Sequence, residues 1–461
     1  MTKKVDLKLI LAIVATGLLS FCGVIVETAM NITFPVLMRQ FNIDTATVQW
    51  MTTAYLLVVS MIVPISSFLK RRFRTRTLFV TANLLFIAGL VIDAIAGNFS
   101  MLVLGRIIQG LGTGIALPLM FNIILDWTPD QQRGTLMGIG TLITAIAPAL
   151  GPTFGGLVVS SLGWHWIFIL LLPLLVVSLL LGLFSIRQAS PTVKAGFDVA
   201  GWLAIVVVFV GFTMAFSHLQ QLGTQPWLVI GWLVLGLIGL AAFIWFTRRS
   251  KQPLIKLTIF KTRSFDWHLL GLFLIQINAL GLAFILPNYI QLVNGKSALL
   301  AGLFVLPGAA IGAIFAPLGG RILDSFGAAK PILTGSTILA LAMALFTVFG
   351  LHLTGALILV LYIIFMVGIG LTMGNTMTSG LSQLNVKQQA DGNAVFNTLQ
   401  QFAGATGTSI VSAVITLVQT QTSGSNAQRT ALGSAVAVGV LLVLLLLNLV
   451  ALINAMRTRK V

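Results

Sequence analysis

Long apolar runs separated by short polar breaks recur along all 461 residues of the chain. A helix rises 1.5 Å per residue, so about 20 apolar residues cross a bilayer. On that measure the pattern predicts fourteen spans, near 9–33, 48–69, 78–97, 101–125, 135–160, 164–186, 199–219, 226–247, 267–292, 299–320, 331–350, 355–380, 394–418 and 432–456. The boundary within 370–400 is the least distinct, because Asn375, Gln383, Asn385 and Lys387 interrupt the apolar run. Lys3, Lys4 and Lys8 precede the first run as they would in a signal peptide. That run is longer than a signal core, no clear small-residue cleavage site follows, and further spans come after it. It reads as an uncleaved first helix. The fold class is an all-α polytopic membrane protein.

Composition agrees. Hydrophobic residues make up 57% of the chain and charged residues only 8%, with a mean hydropathy of +1.04. A soluble fold of this length has no interior large enough for so much apolar surface. The net charge of +17 would suit nucleic acid, but the basic residues sit in short loops between apolar runs. With both termini on the cytoplasmic side, 23 Lys and Arg fall in inner segments. Only Arg39, Lys296 and Arg429 then fall in outer loops. That asymmetry fixes the expected orientation in a cell membrane and leaves no reason to expect nucleic acid as a partner. Eight of the Trp residues, among them Trp50, Trp127, Trp164 and Trp227, lie at span ends, where an interfacial belt places them. Cys22 is the single cysteine, so no intrachain disulfide forms.

Most carboxylates lie at span ends or in loops. Glu27 in span 1 and Asp93 in the outer half of span 3 stand at membrane depth. A charge there costs about 2.5–3.5 kcal/mol even on lenient scales, which makes each a candidate functional group. A carboxylate at that depth holds either a proton or a cationic substrate, as a proton-coupled exporter requires. Two plainer readings stand beside this one: a neutral Glu27 bonded to a neighbour, and an Asp93 solvated at the interface. Arg106 in span 4 stays protonated at working pH and can hold a nearby carboxylate in its charged form, unless it snorkels to the membrane edge. Polar amides cluster later: Gln276, Asn278, Asn288 and Gln291 in span 9, and Asn393, Asn397, Gln400 and Gln401 at the start of span 13. With Asn31 they could line a cavity or bind helices together; Gln276, Asn278, Asn397 and Gln401 are the cavity candidates. No Cys/His metal spacing and no phosphate-binding loop occurs, so neither a metal, a cofactor nor direct ATP coupling is expected. An enzyme would need nucleophile, base or metal groups converging at one depth, and none is visible.

Span 5 carries Ala147-Pro148-Ala149-Leu150-Gly151-Pro152-Thr153-Phe154-Gly155-Gly156. In water such a helix would be poorly stable; inside a bundle, neighbours satisfy the freed backbone and small residues allow close approach. The stretch resembles the antiporter motif G-x-x-x-G-P-x-x-G-G of the major facilitator superfamily, with Ala147 at the first Gly and Gly151, Pro152, Gly155 and Gly156 matching. Gly320-Arg321-Ile322-Leu323-Asp324-Ser325-Phe326-Gly327 resembles the superfamily's cytoplasmic loop motif, on Gly320, Asp324 and Gly327. The corresponding stretch after span 2 has Arg71 and Arg74 where Asp and Gly would stand. The weak match of Pro64–Arg74 to Pro317–Gly327 suggests an internal repeat, although chance gives matches of this quality. Leu102 to Gly112 is similar to the fourth-helix motif built on Arg106. Glu27 to Pro35 resembles the first-helix signature of the fourteen-span drug:proton antiporters (QacA/EmrB-like), with Glu27 in place of Asp.

The resemblance implies the major facilitator fold: two six-helix halves, 1–190 and 264–461, joined by two inserted helices in 191–263. It implies a proton-coupled exporter of amphipathic, cationic drugs or toxic compounds, working by alternating access as a monomer in the lipid bilayer. Its partners would be a small-molecule substrate and protons. An exporter of a lipid, peptide or metabolite would use the same scaffold. Family analogy also pairs Gly151 and Gly155 with Gly308 and Gly312 of span 10.

Overall fold

The computed structural model describes residues 6–128, 130–188, 191–193 and 196–459. Lys3, Lys4, Lys194 and Lys460, which enter the charge count, lie outside them. Among the described residues there are fourteen long helices and no strand. They are α1 (Leu7–Phe41), α2 (Thr45–Arg72), α3 (Thr75–Ala94), α4 (Phe99–Trp127), α5 (Asp130–Ser161), α6 (His165–Ser185) and α7 (Val199–Ser217). There follow α8 (Pro226–Arg249), α9 (Arg263–Leu292), α10 (Ala298–Phe326), α11 (Ala329–Val348), α12 (Gly355–Ser382), α13 (Val386–Gln421) and α14 (Asn426–Arg457). Thirteen are long and apolar enough to cross a membrane, and α5 ends in a shorter apolar stretch, Ile146–Ser161. The chain is a multi-pass membrane protein.

The helices outrun the apolar runs that announce them, because a helix continues until a cap or a breaker stops it. α1 extends to Phe41 and stops where Asn42 turns left-handed at φ 52°. α13 begins at Val386, eight residues ahead of its apolar run. Several starts are set by side chains that accept an orphan amide: Asp44 from Thr47, Asn98 from Met101, Asp198 from Gly201 and Ser425 from Gln428. α2 is broken near its C-terminal end by a 3₁₀ turn at Val63–Ile65, around Pro64. Many large apolar side chains point outward, Phe184 and Trp227 among them, as a lipid-facing surface requires.

Helix pairing follows one pattern twice. α1 packs on α4, α5 and α6, α4 also on α2 and α3, and α3 on α6. α9 likewise packs on α12, α13 and α14, α12 on α10 and α11, and α11 on α14. The two sets meet through α5 with α10, α2 with α13 and α1 with α9. α8 packs on α7, and α7 rests on α2 and α13. Trp202 of α7 donates to the Met61 carbonyl of α2 at 2.9 Å, and Phe209 stacks on Phe402 of α13 at 4.6 Å.

Two expectations change. Gly151 and Gly155 face α1, not α10: a Cβ on Gly155 would lie 2.6 Å from the Ala29 carbonyl oxygen, and one on Gly151 would strike Thr28. Gly308 and Gly312 face Tyr362 and Met366 of α12. The α5–α10 crossing instead uses Gly156 against Ala298 and Leu299, and Gly302 against Pro152 and Thr153. Spacing identifies which glycines share a face, but helix rotation decides which neighbour that face meets. Trp164 is only 3% exposed, edge-on to Phe41 with its Nε1 donating to Gln40, so it is a packing residue rather than an interfacial anchor.

Candidate functional site

Three close crossings bring the charged groups together. Gly89 of α3 and Gly105 and Gly112 of α4 let the two backbones touch, with Gly105 lying directly against the Asp93 carboxyl. Across this contact Gln109 Nε2 donates to Asp93 Oδ2 at 2.7 Å. One turn before Gln109, Arg106 Nη1 donates to Gln109 Oε1. The Arg106 Nε donates to the Met51 carbonyl of α2 at 3.0 Å, and its guanidinium lies 4.1 Å above the Tyr55 ring. Tyr55 in turn donates to the Gly23 carbonyl of α1 at 3.0 Å, and its hydroxyl lies within hydrogen-bond distance of the Thr113 hydroxyl of α4 at 2.9 Å. The result is one buried polar chain through four helices: Asp93, Gln109, Arg106, Tyr55, Thr113 and the α1 backbone.

Glu27 sits beside this chain on α1, 9% exposed and within Coulombic reach of Arg106. Among the described residues no group hydrogen-bonds its carboxyl, so the reading of Glu27 as a group bonded to a neighbour does not hold. One turn on, Asn31 Oδ1 accepts from Thr52 of α2 at 2.9 Å. Asp93 and Arg106 are both fully buried at 0%. That overturns two plainer readings, an Asp93 solvated at the interface and an Arg106 snorkelling to its edge. Among the described residues Asp93 Oδ1 and Arg106 Nη2 have no hydrogen-bond partner. Unused capacity of this kind is costly to bury, and it leaves the guanidinium free to take a second acceptor.

The amides of the second set do not join this cluster. Asn278 donates to the Leu274 carbonyl of its own helix at 2.9 Å, while Gln276 is buried with its Oε1 unpartnered. Asn397 donates to Asn393 one turn earlier and is half-buried with Gln401. Gln291 reaches across to the Ile32 carbonyl of α1 at 2.8 Å. Gly320 and Asp324 lie within α10, with Asp324 exposed, and Gly327 ends that helix at φ 81°. Ala147, Gly151, Gly155 and Gly156 are buried and Pro152 half-buried within α5. Gln109, Tyr55 and Thr113 were not singled out from sequence. Gln109 was legible, since its spacing of three from Arg106 puts both on one helix face.

Opposite charges buried inside a bundle of fourteen long helices suit a membrane transporter. The Major Facilitator Superfamily model matches residues 16–408, and the chain belongs to that family. It is 36% identical over 408 residues to the "Lincomycin resistance protein LmrB" of Listeria monocytogenes, covering 88% of this chain and 87% of that one. It is also 36% identical to the Bacillus subtilis protein of that name over 401 residues, covering 86% and 84%. Among solved structures, a bacterial homologue of the human lysosomal transporter Spinster aligns with a TM-score of 0.69, covering 99% of this chain and 98% of that one at 15% identity. At that identity the likeness speaks for the fold alone.

Proposed function

We propose that this chain is a proton-coupled antiporter of the fourteen-span drug-exporter type, moving amphipathic, cationic drugs or toxic compounds out across the cytoplasmic membrane. The observation that carries it is the buried set of Glu27, Arg106 and Asp93 on α1, α4 and α3, with Asp93 linked to Arg106 through Gln109 and Glu27 buried within Coulombic reach of Arg106. The naming of similar proteins for drug resistance supports the substrate class. Glu27 takes the proton or the cation in turn, and Arg106 balances whichever carboxylate is ionised.

The repeated pairing pattern supports halves at 1–190 and 264–461 around an inserted pair, α7 and α8, in 191–263. The Lys and Arg asymmetry supports cytoplasmic termini, and the chain acts as a monomer. Among the described residues, the hydrogen bonds joining α1, α2 or α5 to α9, α10 or α13 lie toward one end of the bundle. In the proposed orientation that end is the outer one, so this conformation is closed outside. Rocking of the halves about the buried charges then gives alternating access.

The test is proton release on adding substrate to proteoliposomes, across a panel of compounds. Lipophilic cations should release protons from wild type, and Glu27→Gln, well folded, should not. Silence toward every drug, with transport of a lipid, peptide or metabolite, would reassign the substrate. Full proton-driven transport by Glu27→Gln would remove Glu27 from the coupling.

A further inference from the structure

At the closed end of the bundle a cavity of about 300 Å³ opens between α1, α5, α9 and α10. Arg39, from the last turn of α1, and Lys296, from the turn ahead of α10, both line it. Ser160, Gln291 and Ser297 supply its polar walls, and among the described residues no Asp or Glu lines it. Arg39 spends only its Nε, on the Pro35 carbonyl at 3.2 Å. Among the described residues its terminal nitrogens and the Lys296 ammonium have neither a hydrogen bond nor an ion pair. Arg429, the third cation of this end, lies outside the pocket and donates to the Gln419 carbonyl at 3.0 Å. Two unneutralised cations sharing one pocket repel each other until an anion joins them.

The hydroxyls are placed to help. Ser160 and Ser297 accept the Leu299 and Leu300 amides at 3.1 and 3.3 Å, which leaves both hydroxyl protons free for a ligand. The pocket also lies at the amino end of α10, a 29-residue helix whose dipole favours negative charge.

We propose that this pocket is an oxyanion site, binding a phosphate-type group borne by a lipid headgroup or by a free anion. Because α1 and α5 form one side and α9 and α10 the other, it is complete only while those ends are together. A bound anion therefore stabilises this conformation by its differential affinity and slows opening at that end. The site stands apart from the proton coupling. Only its placement outside the cell rests on the orientation proposed above.

The test uses the purified full chain in detergent and follows its thermal unfolding midpoint. Sodium phosphate is titrated against sodium chloride of equal ionic strength; in a second arm, phosphatidylglycerol is titrated against phosphatidylcholine in mixed micelles. A saturable rise is expected in at least one arm. A rise with inorganic phosphate assigns a free anion, and a rise with phosphatidylglycerol alone assigns the headgroup. Arg39→Gln with Lys296→Gln should weaken the apparent affinity by about tenfold or more. Lys296→Glu, a single change at an exposed position, should abolish the rise, whereas Arg429→Gln should keep it. Glu27→Gln should keep it too, so the anion site and the proton coupling fail separately. No rise in either arm, or a rise that both pocket variants retain, overturns the site.

Discussion

Gly155→Ala isolates the close contact between α1 and α5, because the same substitution elsewhere in the chain pulls stability the other way. A Cβ on Gly155 would lie 2.6 Å from the Ala29 oxygen, 3.0 Å from its Cα and 3.1 Å from its carbonyl carbon. All three are backbone atoms, so no rotamer change relieves the contact and α1 must move away from α5. Overpacking of this kind costs about 1–3 kcal/mol. Against it stands the helix propensity of Ala over Gly, worth up to about 1 kcal/mol. With the full propensity gain the net is a loss of up to about 2 kcal/mol, or as much as a few degrees in unfolding midpoint. At Gly320 and Gly374 a Cβ would meet nothing within 4 Å, so Ala there should leave the midpoint unchanged or raise it. Thermal unfolding of the three detergent-solubilised variants, followed by size-exclusion fluorescence, measures the difference. A Gly155→Ala midpoint at or above wild type, with the Gly320 and Gly374 variants behaving as expected, would refute the packing argument.

Cysteines placed at Ser160 and Leu299, where the Ser160 hydroxyl meets the Leu299 amide, should crosslink α5 to α10 with a short bifunctional reagent; no crosslink in any state would exclude that crossing. Asn448 donates to the Gly271 carbonyl at 2.8 Å and accepts from Ser336 at 2.6 Å, tying α14 to α9 and α11. Asn448→Leu should therefore cost about 1–2 kcal/mol. Adding Ser336→Ala should cost less than the sum of the two single changes, and strict additivity would deny the contact. Efflux of a monovalent cation from proteoliposomes should follow an imposed pH gradient and ignore a potassium–valinomycin potential. Acceleration by an inside-negative potential under inward proton flow, lost in Asp93→Asn, would make Asp93 a second proton carrier.

Span number and position were legible because a bilayer demands long apolar runs, and those runs are hard to hide in a sequence. The caps at Asn98, Asp198 and Ser425 that begin α4, α7 and α14 were not read from the sequence, although their residue types suit that role. Glu27 and Arg106 stood out because charge inside an apolar run is rare. Asp93 was left open between a buried and a solvated place: it is the penultimate residue of α3, yet Gly105 gives its carboxyl a place against the α4 backbone. No feature of span 3 alone reveals that, since the room is made by another helix. The pairing of Gly151 and Gly155 with α1 was hidden for the same reason. The pocket between Arg39 and Lys296 joins residues 257 positions apart in number, so only the folded arrangement brings it to view.

Burial of Asp93 takes both carboxylates out of solvent, which taken alone favours two protons per substrate. Counting charge around Arg106 argues the opposite. The guanidinium contributes +1 throughout, so with one carboxylate ionised and the other protonated the cluster is neutral. If both carboxylates ionise with nothing bound, the cluster carries a net charge in the membrane interior, at about 2.5–3.5 kcal/mol even on lenient scales. If both are protonated, the charge is equal and opposite. A monovalent cation lets both carboxylates ionise while the cluster stays neutral. Exchange of one proton for one such cation thus keeps the site neutral in both loaded states, and no other integral exchange does. Gln109 fits this count, because it joins Arg106 to Asp93 without adding charge. Under the proposed coupling, transport of a monovalent cation is then electroneutral and draws only on the pH gradient, at about 1.4 kcal/mol per unit. A divalent cation, by the same count, exchanges for one proton only with a net charge moving outward, and an inside-negative potential should slow it by about 2.3 kcal/mol per 100 mV in driving force.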